Sequence, residues 1–354
     1  MNYIGSKLRL SDWIIETITE KYNNLNPSKP FSQITFAELF AGTGIISRKL
    51  KPSVNQIIAN DLEPYSSVLL KNYIENTKAI PNERIVFLME ELNNLSIKEQ
   101  TKGFIYQNYC QGSGSERLYF SDDNGKKIDV IRQKLEEWKS GRGFDSHQLH
   151  NAKITDSEYY FLLASLLESA DKVANTASVY GAFLKQLKKS AQKNLVLSPA
   201  HFPHTENQEN KIFREDANTL IKKIKGDILY LDPPYNARQY GANYHLLNTI
   251  ALYDDFEPKG KTGLREYERS KYCQKNEVET VFEDLIKDAD FKFIFVSYNN
   301  EGLMNLETIK RIMSKYGSYS LEKTEYQRFK ADKDINREHK ANATMEYLHI
   351  LRRY

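Results

Sequence analysis

The residues with the most chemistry in them stand together at Asp232-Pro233-Pro234-Tyr235, directly after an apolar run from Asp227 to Leu231. An exocyclic amine on adenine or cytosine is a poor nucleophile because its lone pair is delocalised into the ring. A carboxylate from Asp232 and a backbone carbonyl fixed by the Pro233-Pro234 pair can accept both amine hydrogens, turning the lone pair out of the ring plane toward an electrophile. Tyr235 offers a face on which an extruded base can stack, worth about 1–3 kcal/mol. A base reached in this way must first leave the duplex. Two further segments, Phe40-Ala41-Gly42-Thr43-Gly44 and Asn60-Asp61-Leu62-Glu63, suit ligand binding. Glycines let the backbone approach a ligand closely, and an acidic residue 17 positions after Gly44 can accept hydrogen bonds from ribose hydroxyls. Asp61 by itself could equally cap a helix. The third glycine of the dinucleotide fingerprint is absent and no P-loop lysine follows, so a nucleoside without phosphates fits better than a pyrophosphate or triphosphate.

These three segments need strands to hold them. ITFAELF, ending at the Gly-Thr-Gly turn, reads as a strand, Ile45 to Leu50 as a helix, and Val54–Asn60 as a second strand ending at Asp61. A helix from Glu63 to Tyr73 would present Tyr65, Val68, Leu69 and Tyr73 on one face. The α/β pattern resumes with Asp227–Tyr235, Phe291–Asn300 and a final alternating strand, ATMEYLHILRRY. Such elements form an open, mostly parallel sheet whose ligand sites lie at the carboxyl ends of its strands, which brings the three segments to one crevice.

The middle of the chain, from about 88 to 210, is more polar and reads as an insertion. Asn124-Gly125 gives a hairpin signal between LYFS and a lysine-rich return, and helices are expected from Lys127 to Lys139 and from about Asp156 to Lys172. The second opens at the cap candidate Thr155 and buries a Tyr160, Leu163, Leu167 stripe. Lys185, Lys188, Lys189 and Lys193 stand at helical spacing near Asn175, Thr176, Ser178 and Tyr180, a combination suited to duplex DNA, although lysines so spaced also form ordinary solvated faces. The mixed-charge run from Arg328 to Lys340 reads equally as an exposed loop or a phosphate clamp.

The 354 residues are 40% hydrophobic and 27% charged, an ordinary globular mix that argues against disordered, collagen-like and coiled-coil classes. No apolar run approaches the length of a membrane span and the first ten residues lack a signal-peptide core, so a cytoplasmic protein is expected. Two cysteines, Cys110 and Cys273, are too few for a disulfide framework or a four-cysteine zinc site and read as free thiols. His201 and His204 lie among prolines, and no metal is expected. The net charge of +3 means that nucleic-acid affinity must come from local clustering. The 23 tyrosines exceed what packing needs and can stack on bases.

FAGTG, NDLE, DPPY and the opening MNYIGSK together resemble the D12 class of DNA adenine-N6 methyltransferases, the α group of Dam-like and type II restriction-modification methylases. The resemblance covers most of the chain. It implies a Rossmann-like S-adenosylmethionine-dependent methyltransferase sheet, residues 1–87 and 211–354, interrupted by a mainly helical target-recognition insertion, 88–210. It implies that Tyr3, Gly5 and Lys7 line the S-adenosylmethionine pocket with Phe40, Ala41, Gly42, Thr43, Gly44, Asp61 and Leu62. Asp216, with Ala217 in the FREDA stretch, would contact the cofactor's adenine, and Asp232, Pro233, Pro234 and Tyr235 would be catalytic. Asn175, Thr176, Ser178, Tyr180, Lys185, Lys188 and Lys189 would meet DNA. The expected activity is methylation of a flipped adenine in double-stranded DNA by a monomer acting on the bacterial nucleoid, paired with a restriction endonuclease of the same specificity. The stretch ANTASVYGAFLKQLKKSAQKNLVLSP looks like members that modify CATG. An N4-cytosine or RNA adenine methyltransferase, or a catalytically silent DNA-binding module, are the alternatives; Asp232 in place of the usual serine disfavours the first, and intact Asp232 and Tyr235 the last.

Overall fold

The computed structural model describes residues 6–25, 28–141, 153–205, 208–327 and 343–354. The chain forms two compact units. One comprises the described residues of Gly5–Leu70, Thr205–Gln239 and Glu268–Tyr354; the other comprises those of Lys71–His204 and Tyr240–Tyr267.

The first unit is built on a seven-stranded sheet of order β3-β2-β1-β4-β5-β7-β6. The strands are β1 (Thr35–Glu38), β2 (Gln56–Asn60), β3 (Lys211–Phe213), β4 (Lys225–Leu231), β5 (Asp290–Asn299), β6 (Gly317–Gln327) and β7 (Ala343–Arg353). β1 to β5 are parallel, and β7 runs antiparallel between β5 and β6. The central strands are buried on both faces, which is why they read as continuous apolar runs: Phe36 and Ala37 of β1, Ile228 to Leu231 of β4 and Phe293 to Val296 of β5 are all inaccessible. Parallel order places the carboxyl ends of β1, β2 and β4 on one edge, with the order reversing between β1 and β4. This is an open α/β sheet, Rossmann-like in its five parallel strands. The strands expected at ITFAELF, Val54–Asn60, Asp227–Tyr235, Phe291–Asn300 and the C-terminal segment are all present. β6, which alternates polar residues on an edge, and the three-residue β3 carried no apolar run to announce them. The helix expected after Asp61 spans Pro64–Leu70 and continues as a π turn, Lys71–Glu75, with Tyr65, Val68, Leu69 and Tyr73 buried.

The second unit is mainly helical. Its long helices are Asp122–Lys139 and Asp156–Val173, the latter opened by a full capping box in which Thr155 and Glu158 satisfy each other's backbone N–H groups. Leu163 and Leu167 are buried and Tyr160 is half-buried. The hairpin signal at Asn124-Gly125 misled. Ser121 accepts from the N–H of Asn124 and starts the helix at Asp122, and the Asn124 side chain, buried, donates to Lys193 O (2.9 Å) and accepts from Leu195 N (2.7 Å). Gly125 lies within the helix at a point where a Cβ would strike the buried Cys110 sulfur, so the glycine serves close packing there and not a turn. The unit's limits also differ from 88–210: Lys71–87 and Tyr240–Tyr267 belong with it, and 205–210 with the sheet. Within the unit, Tyr253 donates to the Asp129 carboxylate (2.8 Å) and Tyr109 to Gly263 O (2.7 Å), so Tyr240–Tyr267 is fastened to the insertion's helices by polar side chains that carry no periodic signal.

Candidate active site

The glycine turn follows β1 closely. Ala41 N–H donates to Asn60 O at the end of β2 (3.0 Å) and Gly44 N–H to Ala41 O (2.7 Å). Gly42 and Gly44 take φ of 54° and 71°, the left-handed region where a side chain is strained. Asp61 then joins the turn to the next helix: one carboxylate oxygen accepts Gly42 N–H at 2.7 Å and the other accepts Glu63 N–H at 2.9 Å. The Ser66 hydroxyl donates to Gly42 O. Asp61 is therefore a cap and a turn brace at once. Burial pushes its carboxyl up to about 6 against the pull of those N–H donors, and no cation pairs with it among the described residues. Phe40 packs edge-on against Tyr272 at 4.8 Å, Thr43 and Leu62 are half-buried, and Ala41 is buried. Asp216 is exposed and caps a short helix, accepting Thr219 N–H at 3.0 Å beside buried Ala217.

Three further residues shape this edge, of which only Asn60 was singled out in the sequence, as part of the Asn60–Glu63 segment. Asn60 donates to Leu39 O (3.2 Å) and Glu215 O (3.0 Å) and accepts from Glu215 N–H (2.9 Å), tying the ends of β1 and β3 together. Glu38, the last residue of β1, is buried, and one of its oxygens accepts both the N–H and the hydroxyl of Ser47. Burial lifts its carboxyl to about 8, offset in part by Ser47, which favours its neutral form. The third, Glu346, lies on β7. Glu38 did carry a signal, a charge on the strand face that it shares with the apolar Phe36, whereas Glu346 shares its face with Arg352 as well as Leu348 and Ile350.

At the end of β4, Asp232 meets Lys7. The buried Lys7 ammonium lies 3.1 Å from one Asp232 oxygen and 2.8 Å from the carboxylate of Glu346, itself 4% exposed. Lys7, expected to line the cofactor pocket, has its charge taken up by two carboxylates, those of Asp232 and Glu346. The second Asp232 oxygen has no hydrogen-bond partner among the described residues. Burial raises the Asp232 carboxyl to about 6, with Lys7 pulling it down and Glu346 pushing it up. Burial also works against the Lys7 charge, yet the two carboxylates hold its pKa well above the usual lysine value. Pro233 is buried and Pro234 half-buried; the half-buried Tyr235 accepts Leu303 N–H at its carbonyl (2.9 Å) and has its ring centre 5.7 Å from the Lys7 ammonium. Tyr3 and Gly5 lie outside the described residues, as does the run Arg328–Lys340.

The expected DNA-facing set divides. Asn175 is inaccessible: its amide donates to Leu118 O and Leu184 O, both at 2.9 Å, and accepts Lys188 N–H at 3.0 Å. Tyr180 is also inaccessible, donating to Asp171 (2.9 Å) while its carbonyl accepts from Tyr119 (2.6 Å). Both are out of reach of a base and engaged by their neighbours, and both are corrected to internal braces. Thr176 is buried, and its carbonyl accepts the half-buried Lys188 ammonium (2.7 Å). Ser178 is half-buried and Lys185 and Lys189 are exposed. The stretch 181–193 is turns and bends, not the helix that the lysine spacing suggested, because Asn175 holds it through backbone contacts.

A carboxylate and proline-fixed carbonyls beside an aromatic ring, one sheet edge from a glycine turn and an acidic residue, suit transfer to an amine from a nucleoside-bearing donor. The family model of the D12 class N6 adenine-specific DNA methyltransferases matches residues 3–312. The chain belongs to this family. It is 59% identical over 351 residues to the type II methyltransferase M.NlaIII of Neisseria lactamica, covering 99% of each chain. It is 37% identical to M.CviAII of Paramecium bursaria Chlorella virus 1, covering 94% of this chain and 93% of that one, and 40% identical to M.FokI of Planomicrobium okeanokoites, where 94% of this chain spans 50% of the relative. This D12 enzyme is thus a DNA adenine methyltransferase of the restriction-modification type that uses S-adenosylmethionine. The cytosine, RNA and catalytically silent alternatives are set aside. No helix among the described residues is long and apolar enough to cross a membrane.

Proposed function

We propose that Asp232, Pro233, Pro234 and Tyr235 perform the transfer to the N6 amine of a flipped adenine, and that the observation carrying this is the half-used Asp232 carboxylate. One oxygen is held by Lys7 and the other has no hydrogen-bond partner among the described residues, at the end of β4, where the Lys7 ammonium also lies 5.7 Å from the Tyr235 ring centre. The free oxygen and a carbonyl of the Pro233-Pro234 turn accept the two amine hydrogens, while the base stacks on Tyr235. The acceptor is competent when ionised, above about pH 6. Bound S-adenosylmethionine supplies the electrophilic methyl group.

The turn Phe40–Gly44 with Asp61 and Leu62 fits a nucleoside: the left-handed glycines bring bare backbone to the ligand, and Asp61, braced by two N–H groups, keeps lone pairs for ribose hydroxyls. Asp216 and Ala217 take the adenine of the cofactor, with Tyr3 and Gly5 completing the pocket. Residues 88–210 and Tyr240–Tyr267 read the target, with Lys185 and Lys189 on phosphates and Ser178 near the bases. The target is CATG, the enzyme works as a monomer in the bacterial cytoplasm on nucleoid DNA, and a companion endonuclease cuts the same site. Sequencing of methylated bases in DNA from cells expressing the chain tests this. N6-methyladenine at CATG is expected; another motif would overturn the specificity, and absence of N6-methyladenine would overturn the activity.

A further inference from the structure

We propose that Glu346 is a positioning residue of the methyl transfer, acting through Lys7 to aim the Asp232 carboxylate at the target amine. The inference rests on the reading of Asp232 as the amine acceptor. Lys7 belongs to the first turn of the described chain, Asp232 to the end of β4 and Glu346 to β7, so three distant segments converge on one ammonium. Lys7 is 6% exposed and Glu346 4%. An ammonium buried so completely is held only where opposite charges surround it, and a single carboxylate that must also serve an incoming base is a poor sole partner. Glu346, the closer of the two at 2.8 Å, anchors Lys7. Lys7 then fixes one oxygen of Asp232 and leaves the other for the base.

The anchor also sets charge. Lys7 stabilises the ionised Asp232, and Glu346 opposes it. Two other groups bear on the carboxylate. Tyr230 stays neutral, its hydroxyl 2.8 Å from that of Ser297, and burial and the nearby Asp232 push its pKa up. Glu38, on β1, changes ionisation near 8 and so does not disturb a titration near 6. Removing Lys7 and removing Glu346 must therefore shift the acid limb of the reaction in opposite directions, which damage to the fold alone does not do.

The experiment is single-turnover methyl transfer to a duplex substrate at saturating S-adenosylmethionine, across the pH range on both sides of 6, for the wild type, Glu346→Gln, Glu346→Asp, Lys7→Met and Asp232→Asn. Glu346→Gln should lower the acid limb by about one pH unit and cut the plateau rate about tenfold, while Lys7→Met should raise the limb by about one unit. Glu346→Asp keeps the charge but withdraws it from Lys7, so the limb stays in place and the plateau falls less. Cofactor affinity should be unchanged in both Glu346 variants. An unmoved limb in Glu346→Gln, or limbs that move the same way in Glu346→Gln and Lys7→Met, overturns the proposal. Where Glu346→Gln does not fold, a wild-type plateau in Glu346→Asp overturns it. Asp232→Asn separates the two readings: full turnover there refutes the acceptor role itself, whereas a dead Asp232→Asn beside a normal Glu346→Gln refutes the anchor alone.

Discussion

Replacing Asn175 by alanine should destabilise the helical unit without relaxing its choice of sequence. The buried amide makes three hydrogen bonds, to Leu118 O, Leu184 O and Lys188 N–H. The Leu118 carbonyl lies in a residue only 8% exposed, so leaving it unmet costs about 1–3 kcal/mol; the other two partners border solvent and lose about 0.5–1.5 kcal/mol each. Together these give about 2–6 kcal/mol, a large part of the 5–15 kcal/mol typical of a domain. Trp138 is buried in the helix Asp122–Lys139 of the same unit, and in a Trp13→Phe background it is the sole tryptophan, so urea unfolding followed by its fluorescence reports on this unit. A loss under about 1 kcal/mol, with weakened discrimination between cognate and one-base variant duplexes, would refute the reasoning and return Asn175 to the bases.

Asp61→Asn should weaken S-adenosylmethionine binding about 10–150-fold, since charge-assisted hydrogen bonds worth about 1.5–3 kcal/mol are lost; calorimetry measures this, and unchanged affinity would place the pocket elsewhere. Because burial raises the Asp61 carboxyl to about 6, wild-type cofactor affinity should be full above that pH and decline as pH falls through it, a dependence absent from Asp61→Asn. Lys185→Ala with Lys189→Ala should lower affinity for all duplexes and flatten the salt dependence by about one unit for each phosphate no longer neutralised. Lys188→Ala should change that slope less, its ammonium being engaged by Thr176 O; equal slopes for the two variants would show that Lys188 reaches the backbone of DNA.

The sheet was legible because its central strands are buried on both faces, so β1, β4 and β5 announce themselves as apolar runs stopped by Gly42, Pro233 and Asn300. The residues at the strand ends were legible too, since parallel topology brings Gly42, Asp61 and Asp232 to one edge however far apart they lie in the chain. What the sequence hid were roles set by long-range polar contacts. Asn175 and Tyr180 have side chains that suit base edges, and nothing local says that Leu118, Leu184 and Asp171 consume them. Asn124-Gly125 is a strong turn pair, yet the cap at Ser121 and the cramped space over Cys110 make it helical. Glu346 sits more than a hundred residues from Asp232 and more than three hundred from Lys7, so only the pairing of β5 with β7 reveals the trio.

The account turns on one carboxylate oxygen. Asp232→Asn keeps the size of the side chain but substitutes a neutral amide, which loses the negative charge facing Lys7 and presents an NH2 where an acceptor is needed. Single-turnover methyl transfer to duplex DNA by this variant, with S-adenosylmethionine binding measured on the same preparation, is the most direct test. A rate reduced by about 10²–10⁴ with cofactor affinity kept is the predicted result; transfer at the wild-type rate would contradict the role given to Asp232.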